Sequence, residues 1–413
     1  MAAASPWLKK MSRFVPWSLV ALCFALGVAS RSISDSFAVF VPSLQGAFAA
    51  SRSSVTIIYS FALLVGGTGA PLAGWIVDRF GLRAITVIGM SAAALATASA
   101  SQATQLWQLY LGLGVVMGFG GASLSGVLSS SVLGRWFPAH RLGVALAVAW
   151  SASGVGAIVI LPLAEHIIAT AGWRQAYFVF ACISAAFIPL LLALPWRRIA
   201  AGAPTLARAK ASVGAGMTVG QAVREWPFWA LTFSFGFTSL GIFAIAPQAM
   251  VYLLERGMDG GYAARALAVA GVLTPLGMVG FSWLSDRGGR KLAAILAYAC
   301  SIAGVAMLAM VRGPDDDLWL WLYVLLFGGS QGSRGPMIST LATLRYHGAN
   351  FGRIYGLISM GMGFGGFLGA WIGGLLHDLT GDYVAVMIFS VCALALAATS
   401  LGAEAGARER LNR

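Results

Sequence analysis

The chain has 413 residues, of which 59% are hydrophobic and 10% charged, with a mean hydropathy of +0.81 and a formal net charge of +13. No soluble core could hide so much apolar surface, so a soluble enzyme or binding module is excluded and the bilayer must be the solvent. The basic excess would suit nucleic acid in a soluble protein, but its placement along this chain excludes that partner.

A span takes roughly 20 apolar residues, and about twelve such runs succeed one another: 14–43, 53–77, 82–101, 105–133, 142–168, 174–196, 227–253, 264–285, 291–311, 318–344, 352–376 and 382–403. Lys9, Lys10 and Arg13 precede the first run, which carries Arg31 and Asp35 in its interior. This is not a cleaved secretory signal, because the run continues past Ser30 and eleven more follow. The second run holds Tyr59 and ends in a charged turn with Gly74, Asp78, Arg79, Gly81 and Arg83. The fourth is rich in glycine and contains Ser125. The polar stretch 197–226 is the longest connection, and reads as a linker between an N-terminal bundle (1–196) and a C-terminal bundle (227–413). The seventh run holds Gln248, and the eighth ends in a second charged turn with Ser282, Asp286, Arg287, Gly289, Arg290 and Lys291. Arg334 lies inside the tenth run, and Tyr355 follows in the glycine-rich eleventh.

The two charged turns lie 208 positions apart, and the same offset carries Phe119-Gly-Gly onto Phe327-Gly-Gly. One offset fitting two sites indicates duplication, hence an all-α polytopic membrane protein of twelve helices in two pseudo-symmetric six-helix bundles. With the N-terminus inside, 20 of the 27 basic residues fall on one face. That places both termini in the cytoplasm, most simply under a bacterial-type plasma membrane. The four cysteines, all within apolar runs, show no ligand spacing and are expected to be buried thiols. No metal site, cofactor fingerprint or nucleotide motif is expected, and the chain is read as a monomer that is not an enzyme.

Charges inside spans cost about 2.5–3.5 kcal/mol each at the bilayer centre, so they must face protein, water or one another. Arg31 and Asp35 are four apart, on one helix face, and can pair. Asp35 is the expected proton-coupling residue, with a purely structural ion pair as the alternative. Arg334 has no acid within its span, so it is expected either to meet an anionic substrate or to bridge to Asp35.

With these residues in view, the chain resembles the major facilitator superfamily, whose loop between helices two and three has the form G-x-x-x-D-R-x-G-x-R. Gly74, Asp78, Arg79, Gly81 and Arg83 match it, and the second copy keeps Asp286, Arg287, Gly289 and Arg290 with Ser282 for the leading glycine. A narrower resemblance is to the monocarboxylate porters and their oxalate/formate-type relatives, on residues 37–45 running to 51–53, on 135–145 and on 172–177. The acidic-glycine-aromatic signature of that group's first helix and the arginine of its eighth are absent here.

The resemblance implies alternating access, with helices one, four, seven and ten around a central cavity. It places Arg334, Arg31, Gln248, Ser125, Tyr59 and Tyr355 as substrate contacts. Asp78 and Asp286 would latch the cytoplasmic side together with the glycines and arginines of their turns, the alternative being turns that only fix topology. The expected function is secondary transport of a small organic anion, a monocarboxylate first of all, with a proton as symported ion or a second anion in exchange. A multidrug or neutral-solute exporter, favoured by a cavity with no need of Arg334, is the alternative, and a non-transporting membrane sensor a more distant one.

Overall fold

A computed structural model of the chain describes residues 6–32, 36–124, 126–204 and 216–411. Nine helices among them are long and apolar enough to cross a membrane, one of which, Ser54–Ser101, is two spans joined at Gly81. Gly81 has φ +84°, a left-handed value that only glycine adopts freely, and it turns the chain between α2 (52–80) and α3 (82–101). Two further spans are broken into pieces. α1 runs over Pro6–Gly27 and a π-helical turn Val28–Ser32, then resumes at Phe37–Phe48. α10 runs over Asp317–Tyr323 and a π turn Val324–Gly328, then resumes at Arg334–Arg345 beside Gly335 and Pro336. Counted this way, the described residues hold the twelve helices expected from the sequence.

The remaining helices are α4 (Leu106–Leu109, a π segment Tyr110–Val116, Met117–Leu124 and Gly126–Trp136), α5 (Ala139–Trp150 and Ala152–Ala171) and α6 (Trp173–Ala193). They continue with α7 (Trp226–Ile245 and Ala249–Glu255), α8 (Gly260–Gly288), α9 (Arg290–Met310), α11 (Phe351–Thr380) and α12 (Val384–Leu411). The π segments of α4 and α10 meet at repeat-related positions, since Val116 and Val324 are 208 apart, and such wide turns interrupt helices where backbone groups must be re-aimed. After α6, a short helix Trp196–Ala201 buries Trp196 and Ile199 and leaves Arg197 and Arg198 outward.

Large apolar side chains are exposed on α6 (Phe178, Leu190), α9 (Leu292, Ile295) and α12 (Ile388, Leu396), as helices facing lipid require. The cysteines differ from expectation: only Cys23 is buried, while Cys182 and Cys392 are exposed on the outward faces of α6 and α12. In a membrane span, lipid solvates a thiol as well as a protein core does, so apolar surroundings did not require burial in protein.

The packing of the halves is uneven. On the face that carries the charged turns, one buried core runs through both halves, from Leu19 and Val127 to Phe228 and Ile338. Toward the opposite face it divides into two cores, one containing only residues of α1–α6, such as Phe40 and Tyr177, and one only of α7–α12, such as Tyr252 and Phe327. The halves are therefore joined at the basic face and separately packed beyond it.

Candidate functional site

Backbone and carboxylate contacts join the two halves at the basic face. Asp78, at the end of α2, accepts hydrogen bonds from the backbone N–H groups of Gly352 and Arg353, both at 2.9 Å, at the start of α11. Asp286, at the end of α8, accepts from Val144 N–H at 3.0 Å near the start of α5. Asp78 thus caps the first turn of α11 in the other half, whereas Asp286 meets α5 of the other half a turn beyond its start, at the sixth residue of the helix. An acceptor on orphan N–H groups in a helix's first turn contributes roughly 0.5–2 kcal/mol, aided by the positive end of the helix dipole. Beside Asp78, Gly74 lies so close to Gly352 that a Cβ on it would overlap the Gly352 carbonyl, and higher up Gly67 meets Gly363 backbone to backbone. On the other side of the molecule, Gly154 of α5 packs against Pro275 of α8.

The arginines of the turns take supporting positions. Arg79 lies over the rings of Trp75 and Phe80, at 5.5 and 5.7 Å, and Arg287 over Trp283 at 4.8 Å. Arg83 is exposed, and Arg290 begins α9 with an electrostatic contact to Asp286. Arg345 and Glu225 add an ion pair of 3.1 Å between α10 and the start of α7.

Above this closed face lies a cavity of about 330 Å³. Its wall comes from eight helices, since α2, α5, α8 and α11 join the expected α1, α4, α7 and α10. The glycines explain this, because Gly66, Gly67 and Gly363 bring α2 and α11 into the wall without side chains to fill it. Polar groups are few and uncharged: Tyr59, Ser129, Ser153, Thr238, Ser239, Thr274, Gln331 and Ser359, with Trp150 among the apolar remainder. Gln331 Nε2 donates to Thr274 Oγ1 at 2.9 Å, tying α10 to α8. Among the described residues no ionised side chain lines the wall.

Of the six expected substrate contacts, Tyr59 lines the cavity, its ring stacked with Phe37 at 6.4 Å. Arg334 does not. It is fully buried behind the wall and faces α9, where Nη1 donates to Ala297 O at 2.9 Å and Ser301 Oγ at 2.8 Å and the guanidinium lies 5.0 Å from the Tyr298 ring centre. Nη2 donates to Gln331 O at 3.1 Å, and Nε has no hydrogen-bond partner among the described residues. The break in α10 just before Arg334 turns the side chain away, while Gln331, Gly332 and Gly335 face the cavity.

Tyr355 also stands apart from the wall. It is wholly buried, and its hydroxyl pairs with Ser339 Oγ at 2.6 Å between α11 and α10. Gln248 sits in the turn that breaks α7, against Gly373 of α11, and is absent from the cavity lining. Arg31 is on the π turn of α1, but its side chain lies outside the described residues, as do Asp35 and Ser125 altogether. Trp150, Thr274, Ser153 and Ser359 were not singled out from the sequence, and an all-round apolar helix offers no periodicity by which to find them.

At the opposite rim, Glu165 and His166 are exposed, and His377 contacts Asp378 at 3.7 Å and the Tyr383 ring at 4.3 Å. Burial, and then the Glu255 carboxylate, push the Tyr383 hydroxyl up to about 12. These groups lie away from the cavity lining.

The comparisons with known proteins agree with this architecture. The family description "Major Facilitator Superfamily" matches residues 18–370. Monocarboxylate transporter 11 of Mus musculus is 27% identical over 91% of this chain and 84% of its own length. Monocarboxylate transporter 13 of Bos taurus is 28% identical over 90% of this chain and 85% of its own. An uncharacterized MFS-type transporter, YcxA of Bacillus subtilis (strain 168), is 25% identical over 91% of both. Among solved structures, the proton:xylose symporter XylE superposes with a TM-score of 0.72 at 17% identity, covering 93% of this chain and 94% of its own. FucP in the outward conformation gives 0.72 at 16%, covering 95% and 99%.

Proposed function

This chain belongs to the Major Facilitator Superfamily of membrane transporters, and from that premise we propose that it moves a small organic anion, a monocarboxylate, by alternating access. The observation that carries the proposal is the uneven packing of the halves. One core and two crossed aspartate contacts join the halves at the basic face beneath a central cavity, while the opposite side has separate cores. By the positive-inside rule the basic face is the cytoplasmic one, so this is the inward-closed state of a plasma-membrane protein with both termini inside.

The substrate class rests on two supports. Two relatives spanning nine-tenths of the chain are named monocarboxylate transporters. Among the described residues no carboxylate lies within ion-pair distance of Arg334, which places a cation just behind the cavity wall. In a medium of low dielectric that charge attracts an anion bound on the other side of Gln331. Arg31 supplies a second cation in α1, and Asp35 takes up the symported proton, with exchange for another anion as the alternative coupling. Tyr59, Ser125, Gln248 and Tyr355 complete the proposed contacts as the halves rock.

The neutral wall favours a second reading, export of an uncharged or aromatic solute. Uptake of labelled short carboxylates into liposomes, with and without an inward proton gradient, separates the two. The proposal expects uptake that the gradient accelerates by about tenfold, the response to a gradient of roughly 60 mV or 1.4 kcal/mol per proton. Gradient-independent flux of a neutral aromatic solute alone would favour the exporter.

A further inference from the structure

We propose that Trp150 is the floor of the cavity and the contact that limits the length of the carried molecule, an indole that must part from Gly335 before the cavity can open to the basic face. The inference deepens the transport reading and rests on it for one of its two tests.

Trp150 closes the first segment of α5, eleven residues or about 17 Å along the helix from its start near the basic face. The helix is interrupted at the next residue, Ser151, before Ala152–Ala171 begins. The outer edge of the indole fits a slot made by two glycines from different halves. A Cβ on Gly126 of α4 would lie 2.8 Å from Cζ2, and one on Gly335 of α10 would lie 2.6 Å from Cζ3. Real side chains do not approach so closely, so both positions must lack one for the ring to seat. Trp150, Gly126 and Gly335 all line the cavity.

Beyond the ring, the Tyr355 hydroxyl reaches Gly126 and pairs with the buried Ser339, one turn after Gly335 toward the basic face. The seat is one of shape alone, because Nε1 is buried with no hydrogen-bond partner among the described residues. A buried donor without an acceptor is a standing cost of this arrangement, recovered when water or a carboxylate oxygen reaches it. Trp150 belongs to the first half and Gly335 to the second, so any motion that separates the halves at the basic face lifts the glycine off the ring. With the ring in place, a bound molecule stops there. Hydrophobic pockets discriminate by roughly 10-fold or more per methylene, so the floor's position translates into a chain-length limit.

Two readouts on full-length protein test this. In a background whose four native cysteines are alanine, Ser339→Cys reports the far side of the floor through its rate of maleimide labelling in detergent. Trp150→Ala and Gly335→Ala, which remove the ring or unseat it, are each expected to raise that rate by about tenfold, as buried thiols become accessible. In liposomes, straight-chain carboxylates from acetate to octanoate compete with a labelled short one. Trp150→Ala is expected to shift the octanoate-to-acetate ratio of half-inhibitory concentrations by about tenfold in favour of octanoate, with Trp150→Phe between. Labelling unchanged in both variants would overturn the floor. A wild type that responds to no carboxylate would remove the transport reading, yet faster labelling in the variants would still support the floor. Faster labelling with an unchanged ratio, in a wild type that does transport carboxylates, would overturn the length limit.

Discussion

Replacing Gly74 with leucine is expected to cut transport by about tenfold or more while leaving the protein inserted in the membrane. The Gly74 Cα faces the Gly352 carbonyl across the seam between the halves, and even a methyl group there would overlap that oxygen. Two backbones cannot repack as side chains do, so α2 and α11 must separate. Separation stretches both Asp78 hydrogen bonds to the N–H groups of Gly352 and Arg353. Overpacking costs typically 1–3 kcal/mol and lost caps roughly 0.5–2, so the closed state loses on the order of 3 kcal/mol, equivalent to a shift of about 100-fold between states. Insertion is governed by the apolar runs and the loop charges, which leucine leaves unchanged. Initial uptake rates, normalised to protein extracted from the membrane, check this. Unchanged uptake would mean that the contact between Gly74 and Gly352 is not part of the cycle.

The second large effect concerns Arg334. Arg334→Met is expected to weaken anion transport by roughly 30-fold, while the melting temperature in detergent falls by no more than a few degrees. A buried cation pays a desolvation cost that its hydrogen bonds to Ala297, Ser301 and Gln331 offset only in part. An apolar side chain of similar shape removes both the cost and the bonds, so replacement of buried ions by such residues is often neutral for stability. The charge itself acts at a distance. For a carboxylate at a separation on the order of 8 Å and an effective dielectric near 20, Coulomb's law gives about 2 kcal/mol, the basis of the 30-fold figure. Half-saturation constants for a carboxylate and for a neutral solute, measured side by side, separate the roles. A melting temperature lower by more than about 10 °C with an unchanged carboxylate constant would make Arg334 a structural tie between α9 and α10.

The twelve helices and the paired acids were legible in the sequence because membrane insertion obeys a coarse rule. Apolar length decides the spans, and charge decides the turns. The repeat offset links Asp78 with Asp286, and each accepts from backbone N–H groups of the other half, Asp78 at the first turn of α11 and Asp286 further along α5. The direction of side chains inside the bundle was not legible. Arg334 was recognisable as a cation needing a partner, but which way it points depends on how Gly332 packs against Met278 and Thr274 of α8 and Gly335 against Trp150 of α5. Helices apolar all round carry no moment to tell lipid from cavity, so nothing in the sequence sets Trp150 apart from the other tryptophans, and Cys182 reads as a buried thiol. The glycines were conspicuous, yet only the paired surfaces Gly67–Gly363 and Gly74–Gly352 reveal which ones meet across the seam.

The most direct test of a carboxylate carrier working by alternating access is counterflow. Liposomes containing the protein are loaded with an unlabelled short monocarboxylate and diluted into a trace of the same compound carrying label, with no ion gradient imposed. The account predicts a transient accumulation of label above its equilibrium level that disappears in Gly74→Leu. No accumulation with any carboxylate, alongside clear counterflow of a neutral aromatic solute, would contradict it.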